Sequence, residues 1–223
     1  MGRIKAVVFD MDGVLFDTEK MYLDAWKVLG ARKNISGIAE TAKKCIGLSV
    51  TDTVALLKNT YGEAFPVEEY HKFIEAWVKD KIQRDGLPVK RGAVEILEYL
   101  HSIDFTVGLA SSTKYHRIIE HLERAGLIKY FKVIIGGDMI ARSKPDPEIY
   151  RTACKRLGVE PSEAAAVEDS KNGVISAHLA GMIPLLVPDL VAPDGEMLAM
   201  SEKCFESLED VIAYLKREIS TGK

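Results

Sequence analysis

Two aspartates near the start of the chain are the first residues whose types and spacing could do chemistry. Asp10 and Asp12 directly follow an apolar run, Ile4–Phe9. In an extended chain, residues two apart point to the same face, so the two carboxylates would meet, although Gly13 permits a turn just there. Like charges this close are tolerated when a cation or a shared proton lies between them. Taken alone, the pair is also consistent with an exposed strand end followed by a turn.

The sequence around these aspartates predicts an α/β protein. The run before Asp10 is short, apolar and rich in β-branched residues, which indicates a strand buried on both faces, as in a parallel sheet. Further strands are predicted at 105–110, 133–135, 164–167 and 183–187, alternating with helices at 92–101, 115–124, 147–157, 173–180 and 207–218. Such alternation is typical of a doubly wound, Rossmann-like parallel sheet.

The segment that follows the aspartates interrupts this alternation, because it predicts helices and no strand. Thr18, together with Asp17, is expected to cap a first helix and Gly30 to end it. Ser49 with Asp52 resembles a capping box, and Pro66 opens a strongly amphipathic helix. A crossover between parallel strands normally needs one helix, so this block is more than a connection.

We therefore expect two domains. Residues 1–16 and 88–223 would form the Rossmann-like catalytic core, and residues 17–87 would form an inserted α-helical cap, or lid. The turn-rich stretch 85–88 marks the return to the core. We expect hinges near Phe16 and near 84–87, because a lid must open and close during turnover.

Composition excludes several classes of function. The chain has 223 residues, 47% of them apolar, and a net charge of −3 with the two signs interspersed, so neither a nucleic-acid stripe nor a membrane-binding basic patch is present in the sequence. Three scattered cysteines, Cys45, Cys154 and Cys204, indicate reduced thiols. The first apolar run is too short for a signal peptide and no run is long enough to span a membrane. We expect a cytoplasmic monomer that binds neither nucleic acid nor membrane.

Polar residues follow four elements of the predicted sheet at what should be one edge. Ligands of open parallel sheets bind outside the carboxyl ends of the strands. The residues at these positions are Asp10 and Asp12, Ser111 and Ser112, Lys144 in the loop after the third strand, and Glu168 and Asp169. Each group is weak evidence alone, but four of them at one edge form a specific pattern.

The chemistry that this pattern favours is phosphoryl transfer. Asp10, the first residue after the strand, is the natural nucleophile and would form an aspartyl-phosphate. Asp12 is placed to give a proton to the leaving oxygen and later to take one from water. The hydroxyl of Ser111 and the charge of Lys144 can bind phosphoryl oxygens.

The same edge predicts a magnesium site. Mg²⁺ is a hard cation that prefers oxygen ligands. Carboxylate oxygens of Asp10, Asp169 and Glu168, with the backbone carbonyl of Asp12, provide them. The cation would also relieve the repulsion among these carboxylates.

Each of these residues also has a purely structural interpretation. Ser111 or Ser112 could cap the helix that follows. Lys144 could be a solvated loop lysine. Glu168 and Asp169 could be an acidic cap at a helix N-terminus. Asp138, in a Gly-Gly-Asp stretch, is expected to be a turn residue and not a ligand.

Four stretches of the chain resemble the four motifs of the haloacid-dehalogenase-like hydrolase superfamily. These stretches are Asp10–Glu19, Ala110–Ser112, Ser143–Pro147 and Glu168–Gly173. The match spans nearly the whole chain, and the nearest group is the beta-phosphoglucomutase-like branch, which includes sugar-phosphate phosphatases. The resemblance implies a helical cap, Asp10 as nucleophile, Asp12 as acid and base, and a Mg²⁺ site at Glu168 and Asp169. It also implies that Ser111 and Lys144 bind the phosphoryl group.

The chain departs from the mutase pattern of that branch in the cap. Tyr22 stands where a mutase has a histidine, and Val50 stands where it has an arginine that grips a second phosphate. Lys43 or Lys44 could substitute in part, but a lysine is a poorer bidentate phosphate ligand. We therefore expect a Mg²⁺-dependent phosphatase of a small phosphate monoester, such as a sugar phosphate, with a sugar-phosphate mutase as the alternative. Specificity should depend on cap residues near Tyr22 and 43–50.

Two other classes of protein fit the sequence less well. A phosphate-accepting receiver module also has an acidic pair and a late lysine, but it is phosphorylated on an aspartate of a later strand, where this chain has Ser111 and Ser112. An EF-hand loop needs glycine sixth and an acid twelfth, whereas Gly13 is fourth from Asp10 and Met21 is twelfth.

Overall fold

The computed structural model describes residues 3–46, 48 and 50–220 of the chain. The chain divides into two compact units, Met1–Phe16 with Pro88–Lys223, and Asp17–Leu87. The function of the smaller unit as a lid stays a prediction. Within the described ranges, no helix combines the length and the apolar character that crossing a membrane requires.

A parallel sheet forms the centre of the larger unit. Its strands within the described residues are β1 (Ala6–Phe9), β2 (Thr106–Ala110), β3 (Val133–Ile135), β4 (Ala164–Glu168), β5 (Ile183–Leu186) and β6 (Lys203–Cys204). Their order is β3-β2-β1-β4-β5-β6, so the first strand in sequence lies in the interior of the sheet. β1 and β4 have no exposed residue, as expected for strands covered by helices on both faces.

Helices account for most of the remaining chain. Those of the smaller unit are α1 (Thr18–Lys33), α2 (Ile38–Lys44), α3 (Val50–Tyr61) and α4 (Val67–Asp85). Those of the larger unit are α5 (Ala93–Ser102), α6 (Tyr115–Arg124), α7 (Glu148–Leu157), α8 (Lys171–Ala180), α9 (Gly195–Met200) and α10 (Leu208–Ser220). The smaller unit has its own apolar core, in which Leu29 of α1 and Ile74 of α4 are buried. The predicted α/β fold class is confirmed.

Several predicted helix ends were wrong by a few residues. Gly30 does not end α1, because the helix continues to Lys33 and closes at Asn34 in the left-handed conformation. The helix predicted to begin at Gly173 begins at Lys171, where the Ser170 side chain accepts a hydrogen bond from the Gly173 amide as N-cap. Gly173 is buried inside this helix, so it does not mark the helix start.

Further differences between prediction and structure concern helix caps and two short elements. Pro147 is the N-cap of α7 and not its first residue, although Asp146 does accept a hydrogen bond from the Glu148 amide. Asp17 occupies the N-cap position of α1, as expected, although its side chain makes no capping hydrogen bond, and Thr18 is the first residue of the helix. The capping box predicted for Ser49 lies outside the described residues. The short elements α9 and β6 were not predicted at all.

Candidate active site

The register of the three central strands aligns the residues that follow them. Phe9 of β1 is level with Leu109 of β2 and with Val167 of β4. Asp10 therefore lies between the ends of the two neighbouring strands, and its amide donates to the Val167 carbonyl at 3.0 Å. The sheet itself fixes the backbone of the predicted nucleophile.

Lys144 connects the ends of these strands through its ammonium group. Its Nζ lies 2.6 Å from Oδ1 of Asp10 and 2.6 Å from Oε1 of Glu168, and it donates to the Ala110 carbonyl at 3.1 Å. The lysine side chain is only 6% exposed. The interpretation of Lys144 as a solvated loop lysine is therefore wrong.

For both Asp10 and Lys144, burial and the opposite charge of the partner shift the pKa in opposite directions. Burial raises the pKa of Asp10 to about 8, with the carboxylates of Glu168 and Asp12 adding to the shift and Lys144 opposing it. Burial alone would lower the pKa of Lys144, but the carboxylates of Asp10 and Glu168 outweigh it and hold that pKa above its ordinary value. Lys144 is therefore a permanent positive charge beside the predicted nucleophile.

Asp12 is oriented by two hydroxyl groups from the loop after β2. Its Oδ2 accepts hydrogen bonds from Thr113 Oγ1 at 2.8 Å and from Ser111 Oγ at 3.3 Å. Ser111 Oγ in turn accepts a hydrogen bond from the Thr113 amide at 3.0 Å. Sequence reasoning missed Thr113, although its position two residues after Ser111 in the same polar loop was a usable signal.

The capping roles considered for these residues do not occur. Neither Ser111 nor Ser112 caps α6, whose N-cap position is Lys114. Instead, Asp138 accepts a hydrogen bond from the Tyr115 amide, the first of that helix, at 2.8 Å. Asp138 is thus a structural residue, as expected, and Ser111 is left to contact Asp12.

Glu168 is completely buried and contacts four donors. Oε1 accepts from Lys144 Nζ and from the Tyr150 hydroxyl, each at 2.6 Å. Oε2 accepts from the Asp169 amide and from Ser170 Oγ, each at 3.2 Å. The N-cap of α8 is Ser170, so the interpretation of Glu168 as an acidic helix cap is wrong. Tyr150 was not predicted, because an aromatic residue on an amphipathic helix is usually core.

Three carboxylates at this edge could hold a metal ion. Oxygens of Asp10, Glu168 and Asp169 all lie within 4.8 Å of one another, and all three residues are buried. Gly13 permits this packing, because it has a φ of +84° and any Cβ there would lie 2.1 Å from Asp169 Oδ2. An all-oxygen donor set of this kind suits a hard divalent cation.

The predicted substrate-binding residues outside this cluster are more exposed. Ser112 is exposed next to the buried Ser111, and Lys44 is exposed at the end of α2. Tyr22, on α1, is 40% exposed. Val50 is exposed at the start of α3, and two of its neighbours, Gly47 and Ser49, lie outside the described residues.

The smaller unit contains a cavity of about 290 Å³ that includes Tyr22. Its walls combine apolar and aromatic side chains with carboxylates and a histidine. The lining residues are Glu19, Tyr22, Leu23, Trp26, Ala42, Cys45, Ile46, Thr53, His71, Ile74 and Glu75. None of these described lining residues is a lysine or an arginine.

The comparison with known proteins agrees with this geometry. The model of the family described as haloacid dehalogenase-like hydrolase matches residues 7–187. The chain belongs to the haloacid dehalogenase-like hydrolase family. The resemblance predicted from the four motifs is thereby confirmed.

Relatives of this hydrolase carry functional names. A phosphorylated carbohydrates phosphatase of Thermotoga maritima is 33% identical over 179 residues, which cover 80% of this chain and 82% of the relative. A beta-phosphoglucomutase of Bacillus subtilis is 30% identical over 205 residues, covering 84% and 88%. These findings support the predicted enzyme class, a phosphoric monoester hydrolase.

A solved structure supports the fold of this hydrolase over nearly its whole length. It is a HAD family hydrolase of Deinococcus radiodurans with bound phosphate and sodium, and it has a TM-score of 0.83. The alignment covers 98% of this chain and 97% of that chain at 24% identity, which is evidence for the shared fold.

Proposed function

We propose that the protein is a Mg²⁺-dependent phosphatase that hydrolyses a small phosphorylated metabolite, such as a sugar phosphate, in the cytoplasm through an aspartyl-phosphate. The observation that carries the proposal is the contact of Asp10 with Lys144 at the end of the central strand, next to Asp12. The T. maritima relative named as a phosphatase of phosphorylated carbohydrates supports the substrate class.

In the first half-reaction, Asp10 attacks phosphorus. A carboxylate oxygen of Asp10 bonds to phosphorus while the bond between phosphorus and the ester oxygen breaks. Asp12 gives its proton to the departing alcohol. The hydroxyl of Thr113 holds Asp12 in one orientation for this transfer, while the single hydroxyl proton of Ser111 turns from Asp12 to a phosphoryl oxygen. Lys144 stabilises the negative charge of the phosphoryl oxygens.

In the second half-reaction, water attacks the aspartyl-phosphate. The water oxygen bonds to phosphorus as the bond to Asp10 breaks, which restores the carboxylate and releases inorganic phosphate. Asp12 takes the proton of the water and is ready for the next substrate.

The donor set described above fits Mg²⁺. The carboxylates of Asp10 and Asp169, with the backbone carbonyl of Asp12, would hold the ion, and Glu168 belongs to the same acidic cluster. When bound, Mg²⁺ supplies positive charge that offsets the charge of the phosphoryl group and of the carboxylates. Ser111 and Lys144 bind the phosphoryl oxygens from the other strand ends, with the Ser112 backbone beside them.

The unit 17–87 is proposed to act as a lid. Water must be excluded in the first half-reaction and admitted in the second. Phe16 pairs with Val89 in an isolated antiparallel bridge, so the two chain segments that lead to and from this unit are fixed next to each other in the larger unit. Hydrogen exchange of residues 84–87 should slow when Mg²⁺ and a phosphate analogue are added; unchanged exchange would contradict a closing lid.

A sugar-phosphate mutase is the second candidate, favoured by the 30% identity to the B. subtilis beta-phosphoglucomutase. A mutase must hold a bisphosphate at both ends, and the cavity of the smaller unit has no lysine or arginine among its described lining residues. Tyr22 and Val50 occupy the positions of the mutase histidine and arginine, and Lys44 is exposed. These observations support hydrolysis.

Phosphate release tests the proposal directly. We expect release from p-nitrophenyl phosphate and from a panel of phosphorylated sugars, its loss when Mg²⁺ is chelated, and its return when Mg²⁺ is restored. Asp10→Asn should abolish release, whereas Asp24→Asn, which alters an exposed carboxylate of α1, should leave it unchanged. Full activity of Asp10→Asn would refute the mechanism. Conversion of beta-glucose 1-phosphate to glucose 6-phosphate with a trace of bisphosphate would instead identify a mutase.

A further inference from the structure

Tyr150 is a buried polar residue at the candidate site that the proposed mechanism does not use. It is fully buried on α7, six residues after Lys144. Its hydroxyl lies 2.6 Å from Glu168 Oε1 and 3.3 Å from Lys144 Nζ, and the centre of its ring is 4.9 Å from the same Nζ. The tyrosine therefore contacts the lysine through its hydroxyl group and through its ring.

The donor and acceptor capacities of Lys144 and Glu168 determine which way the hydroxyl proton of Tyr150 points. An ammonium group is only a donor, and an ionised carboxylate is only an acceptor. The single proton of Tyr150 must therefore point to Glu168, which leaves the lone pairs of the hydroxyl facing Lys144. The hydroxyl thus bridges the lysine and the glutamate and limits the positions that both can adopt.

Glu168 has no acceptor position to spare. A carboxylate offers about four lone-pair sites. Lys144 and Tyr150 contact one oxygen of Glu168, while the Asp169 amide and Ser170 contact the other. A metal ion that bound Glu168 directly would have to displace one of these four donors.

Helix α8 closes the remaining side of this carboxylate. Gly173 packs so close that a Cβ at this position would lie 2.0 Å from both oxygens of Glu168. Asp169, by contrast, is next to Asp10 in the acidic cluster and keeps an exposure of 8%. The surroundings of the two neighbouring acids are therefore different.

We propose that Tyr150 is a positioning residue which, together with Glu168, holds the ammonium group of Lys144 against Asp10, and that Glu168 acts through Lys144 and not as a direct ligand of the metal. This inference rests on the proposed function, because it assigns roles within the same site. It divides the acidic cluster into metal ligands, Asp10 and Asp169, and a support for the lysine, Glu168.

The first experiment removes only the hydroxyl of the tyrosine. In Tyr150→Phe the ring under Lys144 remains, and the hydrogen bonds to Glu168 and Lys144 are lost. We expect kcat for p-nitrophenyl phosphate to fall about 10- to 100-fold, as for the loss of a hydrogen bond to a charged group, while KM changes less than about threefold. Tyr214→Phe, at a buried tyrosine of α10, is the matched control and should keep both constants.

The second experiment measures metal binding without catalysis. Titration calorimetry with Mg²⁺ or Mn²⁺ on the metal-free protein should give the same dissociation constant, within about threefold, for wild type and Tyr150→Phe, and Glu168→Gln should weaken binding clearly less than Asp169→Asn does. Asp169→Asn should weaken binding at least about 10-fold, as expected when a direct ligand is lost. Glu168→Gln should nevertheless lose activity, because the neutral amide attracts Lys144 less strongly.

The outcomes separate the inference from the proposed function. Metal binding weakened as much in Glu168→Gln as in Asp169→Asn would overturn the assignment of Glu168. Wild-type kcat in Tyr150→Phe would overturn the role of Tyr150. If Tyr150→Phe does not fold, the calorimetry of Glu168→Gln still decides the inference. A wild-type protein that binds metal as described but releases no phosphate from any ester would contradict the proposed function alone.

Discussion

Lys144 Nζ lies 2.6 Å from Asp10 Oδ1, in an ion pair whose two side chains are 6% and 10% exposed. The lysine reaches this position from the loop before α7, whereas the aspartate follows β1, so 134 residues of sequence separate the partners. A buried charge that loses its partner is costly, since water cannot replace that partner. The pair should therefore stabilise the larger unit, and in the proposed mechanism it also places a cation beside the nucleophile.

Replacing the lysine should affect stability and activity together. Lys144→Met keeps the length of the side chain but leaves Asp10 and Glu168 buried without a cation. We expect the free energy of unfolding in urea at pH 8 to fall by about 3 kcal/mol, as for a broken buried pair, and phosphate release to be lost. Lys5→Met is the matched control, because Lys5 pairs with Glu163 at the surface. If both substitutions lowered the free energy of unfolding equally, burial of the Asp10–Lys144 pair would make no difference to stability.

Thr113 should be needed for the acid and base function that we propose for Asp12. Thr113→Val has nearly the same shape but removes the hydrogen bond to Oδ2 of Asp12, so the carboxylate is free to turn away from the leaving oxygen. We expect kcat to fall about 10-fold, with the fold of the protein unchanged by circular dichroism. Thr60→Val, which removes an exposed hydroxyl that bonds only within α3, should keep full activity. An active Thr113→Val enzyme would mean that Ser111 alone orients Asp12.

A methyl group on Gly173 should displace Glu168. Gly173→Ala would place its Cβ 2.0 Å from the buried carboxylate, and Glu168 could move only by giving up its contacts with Lys144 and Tyr150. We expect a fall in unfolding free energy of about 2 kcal/mol and a large loss of kcat. Gly195→Ala is the control, because a Cβ there meets no atom within 4 Å. Activity and stability like wild type in Gly173→Ala would contradict the close packing at Glu168.

Metal binding should depend on pH through Asp10. In the metal-free protein burial raises the pKa of this carboxyl to about 8, so at neutral pH a proton must leave before a cation can bind. Below pH 8 the apparent affinity for Mg²⁺ should therefore rise about tenfold per pH unit, and above pH 8 it should level off. Calorimetry at pH 6, 7, 8 and 9 measures this slope, which Asp10→Asn should remove. A pH-independent affinity would show that Asp10 is already ionised.

The sequence predicted the strands β1 to β5 and the polar residues at their ends, because both depend on local patterns. The strand Val133–Ile135 and the helix Tyr115–Arg124 were predicted with the bounds that the structure has. β6 was missed, because its two residues are exposed and carry no apolar pattern. The predicted end of α1 at Gly30 failed, since this glycine packs against Ile38 inside the smaller unit and tertiary packing overrides its preference for helix ends.

The residues that hold the site side chains in place could not be predicted from sequence. Tyr150 and Thr113 have ordinary local environments, an amphipathic helix and a polar loop, and only the fold brings them to Glu168 and Asp12. Lys144 was predicted as a site residue, but its contact with Glu168 depends on distances that spacing along the chain does not encode. Local patterns thus identify the elements and the strand ends, whereas the hydrogen-bond partners depend on the packed structure.

The central position of β1 has a consequence for how the enzyme would fail on heating. The strand that carries Asp10 has β2 on one side and β4 on the other, and the Asp10 amide is itself bonded to β4. Interior strands of this kind open only when the whole unit loses its structure. The thermal inactivation that comes from loss of the Asp10 position should therefore follow a single exponential at the rate at which the larger unit unfolds.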